Sequence, residues 1–97
     1  MVNHGIAPQD LALIKNILGN YSNCYVFGSR IKGTYQKYSD LDICIKQPIS
    51  DYEIELLNEQ FTKSNIPFKI DLSIYQELDD DLQKTVDQEA VKLEKLC

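Results

Sequence analysis

The sequence predicts one α/β (α+β) domain spanning residues 1–97, in which a small mixed β-sheet is covered by helices. Three observations carry this reading. Ninety-seven residues fall below the length at which chains usually divide. A composition of 43% hydrophobic and 26% charged residues fills one small core and describes neither a disordered tail nor a fibre. Three short β-favouring runs alternate with amphipathic helical stretches, and helices in such a chain must cover the sheet.

The elements follow in order. Residues 7–18 form a helix: Pro8 suits its first turn, Leu11, Ile14 and Leu18 recur at helical spacing, and Gly19 closes it. Asn23–Phe27 is a short strand ending at Gly28, and Leu41–Ile45 is another, with a loop or short helix between them. Pro48 breaks the chain. Ser50 followed by Glu53 makes a capping box for a helix over about 51–62, with Ile54, Leu57 and Phe61 on one face. In Phe68–Ile74 the apolar Phe68, Ile70, Leu72 and Ile74 alternate with Lys69, Asp71 and Ser73, a strand with one polar face. Asp79–Asp81 place negative charge at the start of a last helix, in which Leu82, Val86, Ala90 and Leu93 continue nearly to the C-terminus. Neither an internal repeat nor a linker interrupts this order.

Charge and cysteine usage narrow the function. Ten basic against fifteen acidic side chains give a net charge of −5, a repulsive average field for a long nucleic acid. The charge is uneven. Residues 1–46 carry five basic and three acidic groups (+2), residues 47–97 five basic and twelve acidic (−7), and Arg30 is the only arginine. Met1–Asp10 lacks the basic run and apolar stretch of a secretory signal, and no apolar run reaches the ~18 residues of a membrane span, so a cytoplasmic, non-membrane protein is expected. Cys24 and Cys44 lie in apolar runs and read as buried small hydrophobes. His4, the sole histidine, is expected in a frayed N-terminus, which leaves no Cys/His zinc site and no Ser-His-Asp triad.

The segment from Gly28 to Asp42 holds two glycines, two serines, three basic residues and two carboxylates between two apolar strands. Gly28 lets the backbone approach an anion closely, Ser29 offers a hydroxyl and an N–H, and Arg30, Lys32 and Lys37 add positive charge. Asp40 and Asp42, two residues apart along a strand, point to one face and are costly side by side without a cation. Hard oxygen ligands favour Mg²⁺ bound together with substrate phosphates. Asp71, on the polar face of the next strand, would complete a two-metal site. Gly33 is followed by Thr34 rather than lysine, so a P-loop reading fails, and the third ligand and glycine of an EF-hand are missing.

Gly28-Ser29, ten residues, then Asp40-Leu41-Asp42 resembles the GS-x10-D-x-D signature of minimal nucleotidyltransferases of the DNA polymerase β-like superfamily. Asp71, in Lys69-Ile70-Asp71-Leu72, matches that family's third carboxylate, and Arg30 and Lys32 suit its usual GSRAKG or GSRARG form. Ile31 and Tyr35 are departures. The resemblance covers roughly residues 10–75 and implies the family's palm-like nucleotidyltransferase fold. It implies catalytic and metal-binding roles for Asp40, Asp42 and Asp71, two Mg²⁺ ions, and ATP as substrate. It further implies nucleotide binding by Gly28, Ser29, Arg30, Lys32 and Ser39, with Arg30 and Lys32 either phosphate contacts or solvated loop charges. In the mechanism it implies, Asp71 serves the attacking hydroxyl, which displaces pyrophosphate and takes NMP.

Stand-alone proteins of this kind resemble antitoxins that adenylylate a tyrosine of a small helical HEPN-type toxin encoded next door. The expected function is therefore AMP transfer from ATP to a partner's hydroxyl, in a homo- or hetero-oligomer, the short chain leaving the acceptor site to another protein. Two other readings stand beside it. One is a non-catalytic nucleotide- or partner-binding module whose last helix docks a partner groove. The other is transfer to a small molecule or an RNA end.

Overall fold

A computed structural model of the chain describes residues 3–97. Helix α1 (Pro8–Ile17) opens on Pro8 and turns Leu11 and Ile14 inward. Strand β1 (Cys24–Phe27) leads through Gly28 into a one-turn helix α2 (Ser29–Lys32), and β2 (Leu41–Ile45) follows the loop. Helix α3 (Asp51–Lys63) starts at the expected capping box: Ser50 accepts from the Glu53 amide at 3.1 Å, and Glu53 accepts from the Ser50 amide at 3.3 Å. Strand β3 (Ile70–Ile74) precedes α4 (Asp80–Glu89), whose first turn is capped by Asp79 accepting from Leu82 N–H at 2.8 Å.

The chain departs from expectation at its end. The last helix stops at Glu89, and Val91–Lys92 is a short strand, β4, paired antiparallel with β1. Leu93 and Leu96 then enter the core at 5% and 2% exposure, and of the four apolar residues at helical spacing only Leu82 remains exposed. Sealing the sheet edge and burying two leucines outweighs one more helical turn, since each buried leucine contributes about 2 kcal/mol. That segment belongs to the core of this chain, so a free amphipathic face for a partner groove reduces to Leu82.

The sheet order is β3-β2-β1-β4, with β1 antiparallel to both β2 and β4, and β2 parallel to β3 across α3. Leu41, Ile43 and Ile45 alternate onto the core face with Val26, Ile14, Leu57 and Phe61. Asp42, Cys44 and Lys46 take the other face. There α4 is held at one end by Asp87, which lies 3.0 Å from Lys46 Nζ and accepts from the Tyr75 hydroxyl at 2.8 Å. The end of that face bearing Asp42 stays open.

His4 is 6% exposed rather than frayed. Its Nδ1 accepts the Ile6 amide at 3.0 Å, which puts the proton on Nε2, 2.9 Å from the Cys97 carbonyl oxygen. Cys24 and Cys44 are buried as expected, and Cys97 is exposed. Among the described residues no helix is long and apolar enough to cross a membrane.

Candidate active site

Strand register gathers the carboxylates. Asp42 pairs with Phe27 on β1 and with Asp71 on β3, so the end of β1, the beginning of β2 and the beginning of β3 meet at one edge of the open face. Asp40 stands two residues before Asp42 and is exposed, as is Asp71, whereas Asp42 is half-buried. Burial pushes the Asp42 carboxyl above the ordinary carboxylate range, and the negative charges of Asp71 and Asp40 push it further the same way.

Gly28 makes room for this group. It sits at φ 84°, ψ −157°, a region only glycine occupies readily, and a Cβ there would collide with Oδ2 of Asp42 and approach its Cγ to 3.2 Å. The Ser29 hydroxyl makes no hydrogen bond among the described residues. Gly33, at φ 80°, closes α2 in the left-handed region.

The donor set is three carboxylates on one sheet edge, none with an ion pair or side-chain hydrogen bond among the described residues. Together with the charge repulsion felt by Asp42 and the cradle at Gly28, this fits a hard divalent cation. The side chains stand adjacent without being drawn into a closed cage: among the described residues no three His, Cys, Asp or Glu groups converge closely enough to hold a metal. A groove of about 420 Å³ borders Asp71 between α3 and β3, lined by Asn58, Phe61, Thr62, Phe68 and Lys69.

One basic residue differs from expectation. Arg30 is 1% exposed and is neither a solvated loop charge nor open to a phosphate. Its Nε and Nη2 donate to the Ser39 carbonyl at 3.1 and 2.9 Å, Nη2 also to Lys37 O at 3.3 Å, and Nη1 to His4 O at 2.9 Å. The guanidinium carbon lies 4.1 Å from the Phe68 ring centroid and 5.2 Å from that of Tyr35. Burial lowers its pKa, and Tyr35 opposes that shift. Lys32 is half-exposed, and its Nζ lies 3.4 Å from Oε2 of Glu89, a charge contact without hydrogen-bond geometry.

Ser39 is likewise occupied, its Oγ accepting the Gln36 amide at 2.7 Å. Phe68 and Glu89 are the participants that the sequence did not reveal. Phe68 carries no polar signal, and Glu89 lies 57 residues from the lysine it meets.

The fold and the carboxylate edge define a nucleotidyltransferase. The polymerase β nucleotidyltransferase family profile matches residues 13–95, and the chain belongs to that family. It is 34% identical over 86 residues to the probable protein adenylyltransferase MntA of Haemophilus influenzae, across 84% of this chain and 75% of that relative. Two crystal structures share its fold. One is a toxin-antitoxin with AMP-PNP, with a TM-score of 0.70 and 20% identity over 87% of this chain and 72% of the other. The second is a mutant of the toxin-antitoxin MntA-HpeT, with a TM-score of 0.61 and 14% identity over 86% and 70%. The resemblance to minimal nucleotidyltransferases read from the Gly28–Asp42 and Asp71 motifs is thereby borne out.

Proposed function

We propose that the chain transfers AMP from ATP to a hydroxyl of a partner protein, and that it is the antitoxin of a toxin–antitoxin pair. The observation that carries this reading is the register pairing of Asp42 with Asp71 beside the Gly28 cradle. The names of the relative and of the structural neighbours support the protein acceptor and the toxin partner. The sequence resemblance narrows the acceptor to a tyrosine of a small helical HEPN-type toxin.

Asp40, Asp42 and Asp71 would hold Mg²⁺, which when bound supplies positive charge at the phosphates and leaving pyrophosphate. Gly28 and Ser29 border the space for the triphosphate, and Lys32 adds positive charge on exchanging Glu89 for phosphate. Asp71 accepts the proton of the attacking hydroxyl, which enters through the groove beside it. The hydroxyl oxygen forms its bond to the α-phosphorus as the bond to the β-phosphate oxygen breaks, so AMP is transferred and pyrophosphate leaves.

The test is to incubate the protein with Mg²⁺, ATP and the helical protein encoded beside it, then map the partner by mass spectrometry. A tyrosine gaining one AMP moiety supports the reading. An unmodified partner held in a tight complex would instead support the non-catalytic module.

A further inference from the structure

We propose that Arg30 is a positioning residue that presents Asp40 to the metal by holding the backbone just before it, and that it does not contact the triphosphate. The inference rests on the metal-binding reading of Asp40, Asp42 and Asp71. Asp40 lies just before β2, and on its C-terminal side the Leu41 amide donates to the Lys69 carbonyl at 2.9 Å. Its N-terminal side is anchored by the Ser39 carbonyl, the oxygen of the peptide group that joins Ser39 to Asp40. That oxygen takes two guanidinium N–H groups, from Nε and Nη2, which sets the plane of the peptide as well as its position.

The guanidinium is itself immobilised. Phe68, just before β3, covers one part of it, Tyr35 packs nearby, and the His4 and Lys37 carbonyls take the remaining contacts. Tyr35 is in turn pressed against Gly5, where a Cβ would collide with its ring, and its hydroxyl lies 3.3 Å from Asn3 Oδ1. Arg30 therefore joins the N-terminal segment, the 34–40 loop and the β3 entry at one point. A buried cation with these contacts has no open face, yet it acts one peptide from a candidate ligand.

Lysine keeps the charge but lacks the planar fork, so Arg30→Lys separates the two roles. Mn²⁺ affinity is read by electron paramagnetic resonance with a non-hydrolysable ATP analogue, and analogue affinity is read separately in EDTA. Arg30→Lys is expected to weaken Mn²⁺ about tenfold, the lower range for groups that orient a ligand, with metal-free analogue affinity within about twofold of wild type. Phe68→Leu keeps every hydrogen bond of Arg30 but removes the ring beside it; it shifts Mn²⁺ in the same direction and serves if Arg30→Lys does not fold. Unchanged Mn²⁺ affinity in the folded variants overturns the inference. Loss of the analogue in EDTA overturns it too, by making Arg30 a phosphate contact. If the wild type binds no Mn²⁺, the metal-site reading itself fails, and that outcome is distinct from both.

Discussion

Gly28 and Asp42 occupy complementary space: the hydrogen-only side of the glycine faces the carboxylate, and a methyl group there would meet Oδ2. Gly28→Ala meets this collision together with a backbone at φ 84°, ψ −157°. The variant should lose about 1–3 kcal/mol of stability in thermal or denaturant unfolding. Its transfer rate should fall about 100-fold, because displacing the carboxylate proposed to hold the metal by an ångström is enough to misalign the reactants.

Burial, Asp71 and Asp40 all disfavour the charged form of Asp42, so the metal-free protein should become more stable when that charge is removed. Asp42→Asn is expected to raise Tm by a few degrees at pH 7. The sign follows from the direction of the shift. A carboxyl raised in the folded state is a cost fully present above its folded pKa and absent below its ordinary value of 3.8, so the gap between variant and wild type should close as pH falls toward 4. Mg²⁺ with an ATP analogue should raise Tm in wild type and not in Asp42→Asn, as read by scanning fluorimetry.

The terminal segment should behave as core. Leu93→Ala is expected to cost about 2–4 kcal/mol, and Leu82→Ala no more than about 0.5 kcal/mol, since Leu93 is 5% exposed and Leu82 42%. Removing residues 79–97 should give insoluble protein, because it strips β4 from β1 and Leu96 from the interior.

Alkaline pH should destabilise the protein. Burial pushes the Cys24 thiol up to about 11 and raises Cys44. Hydrogen bonds to Glu53 and Asp87 raise Tyr21 and Tyr75, and Asp87 raises Lys46. All five bind protons more tightly when folded, so their contribution is complete below the ordinary values and is lost as pH climbs past about 9. Urea midpoints measured from pH 8 to 10.5 should hold to about pH 9 and fall beyond it. At pH 8 a maleimide should label the exposed Cys97 and reach Cys24 and Cys44 only on unfolding.

The carboxylate edge was legible because it depends on period two. Asp71 alternates with Ile70 and Leu72, Asp42 with Leu41 and Ile43, and parallel pairing of those runs forces the two acids together. The capping box at Ser50 is equally local. Arg30 was not legible, since a basic residue in a polar loop reads as solvated until His4, Lys37, Ser39 and Phe68 are known to surround it. Strand β4 was hidden for another reason. Two residues carry no period, and Val86, Ala90 and Leu93 fit a helix as well as they fit a helix, a strand and a turn that each bury one side.

AMP transfer that depends on the Asp42 edge is tested with ATP labelled at either the α- or the γ-phosphate, together with Mg²⁺ and the neighbouring protein. The expected result is α-label in the partner, no γ-label, and no transfer by Asp42→Asn. Transfer of γ-label, or α-label transfer by Asp42→Asn equal to wild type, would contradict it.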